Sequence, residues 1–339
     1  MDVCLARWSA LECWRRIRAL GKKFLAETME LPPMTPLYAM HPSITQKEAE
    51  AIAEQYGLSW PLQVAVSDSS FRRTCKYVET KVFNKSDAHE AFIRLEEGLY
   101  IETPESIFEQ MSSYLDTVDL VRLGYELCST YALDHLRSGK LVDSFAIATP
   151  QSLKAATDAC QRAQRALRYV KSDAASPPEV ESSIKLGLPC AYGGFNLPGH
   201  TLNPELALSD HAQALADKKF CRADLYFAGI DADVEYDSSE WHSGPEKARE
   251  DERRRAALRA DGHTVIPLTF ASMRSAESMT ALAKELHRRA GTRLRLRTKG
   301  FAEKQTALFA RFETASQIER PVAAKPTASA AAASDNNAA

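Results

Sequence analysis

The sequence predicts an α/β protein in which a smaller α+β region precedes an α/β core. Three observations carry that prediction. From residue 178 onward helical and strand patterns alternate: helix 178–188, a hairpin across 222–237, helix 246–260, strand 263–270 and helix 273–290. Before it, short strand-like runs are interleaved with helical ones. A hydrophobic fraction of 45% over 339 residues is enough for more than one core.

Each element has a local cause. Residues 9–24 pattern as an amphipathic helix with Leu11, Trp14, Ile17 and Leu20 on a common side, suited to docking on the first domain. After the proline-rich stretch 32–36, Thr45-Gln46-Lys47-Glu48 forms a capping box that opens a helix carrying Ala49, Ile52, Ala53 and Tyr56, and Gly57 ends it. Leu62–Val66, Lys76–Phe83 and Gly98–Glu102 read as short strands. Thr103-Pro104-Glu105 supplies a cap, a proline at the first helical position and an acid in the first turn, predicting a helix to about Leu115. Two further helices, near 117–137 and 150–170, close the first domain. The small, polar, proline-containing stretch Ser172–Pro178 is the predicted boundary. The expected organisation is an N-terminal domain over 1–171, a second domain over 173–300, a C-terminal helix within 301–319 and a disordered tail over 320–339.

The most informative stretch is the hairpin. Arg222–Phe227 and the run from Val234 alternate apolar and polar residues, and Gly229–Asp233 between them is turn-like. Side chains alternate faces along a strand, so Asp224 shares a face with Tyr226, and Glu235 with Asp237. Three carboxylates can therefore converge, or else line a solvated edge. Two carboxylates about 4 Å apart repel by roughly 4 kcal/mol at an effective dielectric of about 20, so a converged cluster needs a proton, a base or a cation. Helix 178–188 offers a fourth acid: Glu181 beside the apolar seam is favoured over Glu179, which complements the helix N-terminus. His242 follows Glu235 by seven residues, where an imidazole can bind a metal or move a proton.

Composition narrows the remaining classes. Lysine plus arginine number 43 against 45 acids, a formal net charge of -2, so any nucleic-acid contact requires a local patch. One such patch lies between Lys284 and Lys299, where Arg288, Arg289, Arg293, Arg295 and Arg297 face the single acid Glu285. The same arginines would also serve to solubilise a helix end, with Leu294 and Leu296 alternating inward. No aromatic residues interleave with them, which gives no support there for stacking on single strands. Helix 246–260 carries charges of both signs at i,i+4 spacing, the pattern of a solvated face. Seven scattered cysteines without a Cys-x-x-Cys pair argue against a disulfide framework or a structural zinc site. Charges break up the first 24 residues, so neither a signal peptide nor a membrane span is expected, and the location expected is cytoplasmic.

Taken in order, Glu181, Arg222-Ala223-Asp224, Val234-Glu235-Tyr236-Asp237, His242, Arg249 and Asp251 ahead of an arginine-rich helix, and Gly262-His263-Thr264-Val265 resemble the very-short-patch-repair-like branch of the PD-(D/E)xK nuclease superfamily. The resemblance covers about 173–275, and the first 170 residues broadly resemble abortive-infection antitoxins. It implies a restriction-endonuclease-like mixed sheet flanked by helices and a phosphodiester-hydrolysing site. Asp224 and Glu235 would hold Mg²⁺ or Mn²⁺, Glu181 would assist, and His242 would move a proton or orient water. The cation would lower the pKa of a water and neutralise charge growing on the phosphate. The superfamily pattern has a lysine two residues after the glutamate, and this chain has Asp237 there. His242, or Lys247 reaching back from its helix, would then substitute, while Asp237 would add a ligand or pair with Arg249 or Arg253. The expected function is a metal-dependent endonuclease acting on nucleic acid, DNA rather than RNA, in defence or DNA repair. The alternatives are a non-catalytic nucleic-acid-binding or antitoxin-like regulator on the same fold, and a protein-interaction module with an acidic hairpin.

Overall fold

The computed structural model describes residues 2–21, 44–83, 91–134, 139–158, 160–237 and 245–321. The chain is a mixed α/β protein with two principal sheets. The first takes the order β3-β2-β1-β5-β4, from β1 (Val3–Leu5), β2 (Leu62–Val66), β3 (Val78–Val82), β4 (Phe92–Glu96) and β5 (Leu99–Glu102). β1 runs parallel to β5 and antiparallel to β2, which in turn runs parallel to β3. The Arg7–Leu20 helix lies on one face, burying Leu11, Trp14 and Ile17 as the periodicity predicts, while Leu20 in its last turn is exposed. Cys4, Ala65, Phe83, Phe92 and Tyr100 form a small apolar cluster of their own.

Most local signals act as expected. Thr45 and Glu48 make the reciprocal capping box, and Gly57 closes that helix in the left-handed conformation at φ 65°. Thr103 caps the Pro104–Met111 helix through the Ser106 N–H. The helix expected over 117–137 instead stops at Cys128, and β6 (Tyr131–Asp134) pairs with β7 (Lys140–Asp143). Buried Arg18 holds the stop in place: its guanidinium donates to the carbonyls of Glu126 at 2.7 Å and the cap residue Ser129 at 2.8 Å, and also to that of Phe145 beyond β7 at 3.1 Å. That constraint comes from a residue more than a hundred positions away and has no local signature.

The second sheet takes the order β13-β12-β11-β8, from β8 (Thr201–Leu202), β11 (Leu225–Phe227), β12 (Ala232–Asp237) and β13 (Thr264–Thr269). β11 and β12 form the antiparallel hairpin, and β12 and β13 run parallel around the Pro245–Ala260 helix. β9 (Glu205–Ala207) and β10 (Phe220–Arg222) form a separate antiparallel ribbon, so the strand expected over Arg222–Phe227 is split: Arg222 ends β10, and Leu225 opens β11. One face of the second sheet presents Leu225, Val234 and Leu268 to the main core, shared with the Pro177–Gly187 and Ala276–Arg289 helices. Opposite it, Leu208, Ala212, Cys221, Ala257 and Leu258 pack as a second layer.

The two halves share one apolar core that runs from Val3 to Ile318. At the sequence boundary Ala174 is buried, and its carbonyl accepts the Thr130 N–H at 2.8 Å, so Ser172–Pro178 is a packed crossing. The Phe301–Thr314 helix and the segment after it return across the first half: Arg122 donates to Ala315 and Gln317 carbonyls, Arg15 to that of Ile318, and Arg320 to those of Ser59 and Pro61. From 322 on, the expected tail lies outside the described residues. Among the described residues no helix is long and apolar enough to cross a membrane.

Candidate active site

Asp224 sits in the bend just before β11, and its Oδ2 accepts the Tyr236 N–H at 2.8 Å. With Leu225 opposite Val234, the next position along the ladder sets Asp224 beside Glu235. β12 begins at Ala232, two residues earlier than the alternation suggests. Asp233 therefore belongs to the strand and points to the same face as Glu235 and Asp237, while Val234 and Tyr236 point to the core. The Pro245–Ala260 helix covers that acidic face. Its Arg254 donates to Glu235 Oε2, approaches Asp224 Oδ1 at 3.5 Å and donates to the Arg222 carbonyl at 3.2 Å. Asp237 lies 3.4 Å from Arg255. The convergence expected of Asp224 and Glu235 is thus present, around an arginine.

Glu179 is the helix acid whose charge reaches this cluster. It accepts from the Ala175 N–H at 2.8 Å, Ser176 Oγ at 2.7 Å and Asn203 Nδ2, and its negative charge raises the proton affinity of Asp224. Glu181, the acid favoured from sequence, is engaged elsewhere. It pairs with Lys185 at 2.5 Å and Arg274 at 3.4 Å. Lys185 is 0% exposed, donates to the Met273 carbonyl at 2.9 Å and lies 3.8 Å from the Phe309 ring centre. Burial depresses the pKa of that ammonium, and Glu181 opposes the shift. Glu181 thus neutralises buried Lys185, whose ammonium lies against Phe309 of the C-terminal helix. Glu181→Gln is expected to cost about 2 kcal/mol, the scale of one hydrogen bond to a buried charge, measurable by urea unfolding.

The electrostatics follow from burial. Asp233 is fully buried and Glu235 is 3% exposed. Desolvation raises Asp224 to about 7, with the charges of Glu235 and Glu179 adding and Arg254 opposing. Asp233 rises to about 6 and Glu235 to about 9, again chiefly through burial, with Asp233 acting on Glu235 through a hydrogen bond and its charge. Two ionised carboxylates cannot bond to each other, so that contact requires a shared proton. Taken as ionised, Asp233 Oδ1 and Oδ2 and Glu235 Oε1 have no hydrogen-bond partner of good geometry among the described residues.

Those orphaned oxygens test the fit of a cation. The donors are all hard oxygens, as Mg²⁺ and Mn²⁺ require, and Mg²⁺ commonly takes only one or two carboxylates together with water and substrate phosphate. Among the described residues no group of three or more His, Cys, Asp or Glu side chains is arranged to hold an ion. Of the two carboxylates expected to hold a cation, Asp224 accepts the Tyr236 N–H and both approach Arg254, while the orphaned oxygens belong to Glu235 and Asp233.

Other residues predicted for the site are placed as follows. His242 and the Lys247 side chain lie outside the described residues. Arg249 is exposed. Arg288 and Arg289 both pair with Glu285 at 2.7 Å, holding its carboxyl down at about 2, and Arg289 also donates to Thr264 Oγ1 at 2.9 Å. Arg293, Arg295 and Arg297 are exposed, while Leu294 and Leu296 pack on the core in the expected alternation.

Sequence reasoning missed Asp233 because it was read as part of a turn, and missed Arg254 because its helix was read as a solvated face. Both had a signal. Asp233 precedes Glu235 by the strand period of two, and Arg254 lies three and four residues before Ala257 and Leu258, the apolar pair that faces the sheet. The chain matches no protein-family model, no curated protein and no solved structure.

Proposed function

We propose that this chain is a nuclease-like protein that hydrolyses phosphodiester bonds in nucleic acid, DNA in preference to RNA, with Mg²⁺ or Mn²⁺ held by Asp224 and Glu235 on a restriction-endonuclease-like sheet. The carrying observation is the imbalance of charge: Glu179, Asp224, Asp233 and Glu235 act on one another electrostatically, and Arg254 is the cation at their centre. Such a cluster takes up either protons or a divalent cation. An antiparallel hairpin bearing the acids and a parallel strand returning after a covering helix support the fold assignment.

When bound, the cation would polarise the phosphoryl group and favour attack by water. The chain's own residues have separable tasks. The Tyr236 N–H holds Asp224 in place, and Arg254 presents a guanidinium that can turn to an anionic phosphate oxygen. Glu235 must lose its proton to hold the cation, so its raised pKa sets proton and metal in competition for one carboxyl. Exposed Arg293, Arg295 and Arg297 provide positive charge for the backbone of the substrate. A second reading, a regulator that binds nucleic acid without cutting it, is favoured by one specific observation: Arg254 already neutralises Glu235 and Asp224.

The test is incubation with plasmid and with labelled single-stranded DNA and RNA in Mn²⁺, Mg²⁺ or EDTA. Cleavage dependent on divalent cation is expected, reduced roughly 100-fold or more by Glu235→Ala, the usual consequence of removing one electrostatic partner of a transition state. Cleavage that survives EDTA or the substitution overturns the proposal. Binding without cleavage establishes the regulator.

A further inference from the structure

Two clefts flank the single helical turn Cys190–Tyr192. One, of ≈ 270 Å³, is lined by Arg162, Tyr192, Lys304 and Arg311 among others, and carries one acid, Asp116. The other, of ≈ 410 Å³, is lined by Cys190, Asn196, Arg293, Arg295 and Thr298 among others, and carries none. The turn is pressed onto the Phe301–Thr314 helix. Gly193 closes it at φ 87°, and a Cβ added there would collide with the Lys304 carbonyl, so glycine is what lets the two clefts lie side by side.

The cations of these clefts are largely unspent. Arg311 is held by Asp116 and by Asp119, the latter at 2.6 Å. Arg162, Lys304, Arg293 and Arg295 are exposed, and among the described residues their side chains have no ion pair and no hydrogen bond. Arg165, one turn beyond Arg162 on the Gln161–Leu167 helix, is exposed as well, while Ala163, Ala166 and Leu167 form the buried side of that helix. Uncompensated charge of one sign binds a polyanion by releasing its condensed counterions. Among the described residues no exposed large apolar side chain lies at either cleft, so the surface has neither the aromatic anchor of a protein interface nor a group to insert into a bilayer. A flat membrane meets only the rims of two concave clefts. A strand of phosphates can follow their walls, with Asn196 and Thr298 offering hydrogen bonds to its oxygens.

We propose that Arg162 and Lys304 extend the basic surface of Arg293 and Arg295 across the turn into one track for the phosphate backbone of nucleic acid. The first half of the chain and the C-terminal helix then hold the polymer together with the second half. The inference rests on the nucleic-acid reading of the acidic site and adds to it where the polymer is gripped. The grip is remote from the carboxylates, because the turn follows the C-terminal end of the Pro177–Gly187 helix, whose first turn carries Glu179. Contacts of this kind position a strand without reading its sequence.

Fluorescence anisotropy of the full chain in EDTA, with a labelled duplex of about 20 base pairs and salt from about 50 to 200 mM, tests the proposal. Arg162→Ala combined with Lys304→Ala should weaken binding roughly 10-fold or more at the low-salt end, equally for unrelated sequences. The slope of log affinity against log salt should fall by about 2, one for each lost phosphate contact. Arg162→Lys combined with Lys304→Arg keeps both charges and should bind as the wild type does. Both positions are exposed and unpaired, so each variant should melt at the wild-type temperature. Unchanged affinity and slope in the alanine pair overturns the proposal, as does tighter wild-type binding to anionic phospholipid vesicles or to polyglutamate at the same ionic strength. Binding that needs Arg162 and Lys304 without cation-dependent cleavage removes the nuclease reading and leaves this one standing. Cation-dependent cleavage with an alanine pair that binds like the wild type does the reverse.

Discussion

Arg254→Ala is expected to lower stability by about 3 kcal/mol at pH 8 and to make the folded state depend on divalent cation. Arg254 donates to Glu235 and lies 3.5 Å from Asp224, so truncation removes the guanidinium that opposes two buried acids. Loss of one partner of a buried pair typically costs about 3–5 kcal/mol, and proton uptake by the abandoned carboxyls brings the expected figure to the lower end. The cost should therefore be smaller at pH 6, where protons can substitute, and larger at pH 8.5. The same truncation frees Asp224 and Glu235 for a metal. Mn²⁺ at about 100 times its dissociation constant would restore roughly 2.7 kcal/mol. Thermal unfolding with Mn²⁺ or EDTA gives the answer, and an Arg254→Ala midpoint indifferent to Mn²⁺ would remove the two-carboxylate metal site.

Stability of the wild-type protein without metal should fall by about 2 kcal/mol between pH 7 and pH 8.5. Glu235 is raised by burial and by Asp233 to about 9, far above an unfolded glutamate. In that window the native state holds one proton that the unfolded state has released, so stability declines as pH rises towards the folded pKa, by about 1.4 kcal/mol per unit. Asp224 contributes with the same sign lower down, up to about 7. His200, depressed by burial to about 4, acts oppositely, adding stability as pH rises from there to its unfolded value, and is complete before pH 7. The raised thiols of Cys4, Cys13, Cys128, Cys190 and Cys221 add to the decline near the top of the window, where unfolded thiols begin to titrate. Glu235→Gln should remove most of the slope between about pH 7 and pH 8. Urea unfolding across the range measures it, and a flat wild-type profile would mean that Glu235 is ionised and fully compensated in the fold.

Much of the secondary structure was legible because its causes are local. The Thr45 capping box, the Thr103-Pro104 helix start and the alternation in β12 act within one turn or one strand. The elements that were not legible depend on distant partners. The strand at 131–134 follows a helix end whose carbonyls are taken by Arg18, and the division of labour between Glu179 and Glu181 is set by Asn203 on one side and by Lys185 and Arg274 on the other. Both glutamates are buried on the same helix, so neither periodicity nor hydrophobicity separates them.

What the sequence determined by itself is the α/β class, the hairpin, and the presence of Asp224 and Glu235 at positions that can converge. Alternation of side chains along a strand fixes which residues share a face, and that is a local property of the backbone. Only the tertiary structure decided what meets that face: Asp233 brought into the strand, Arg254 laid across the acids and Glu179 within electrostatic reach. The physical reason is that a buried charge is governed by whatever desolvates and opposes it, and here those groups come from the Pro177–Gly187 and Pro245–Ala260 helices, elements joined to the hairpin only in space.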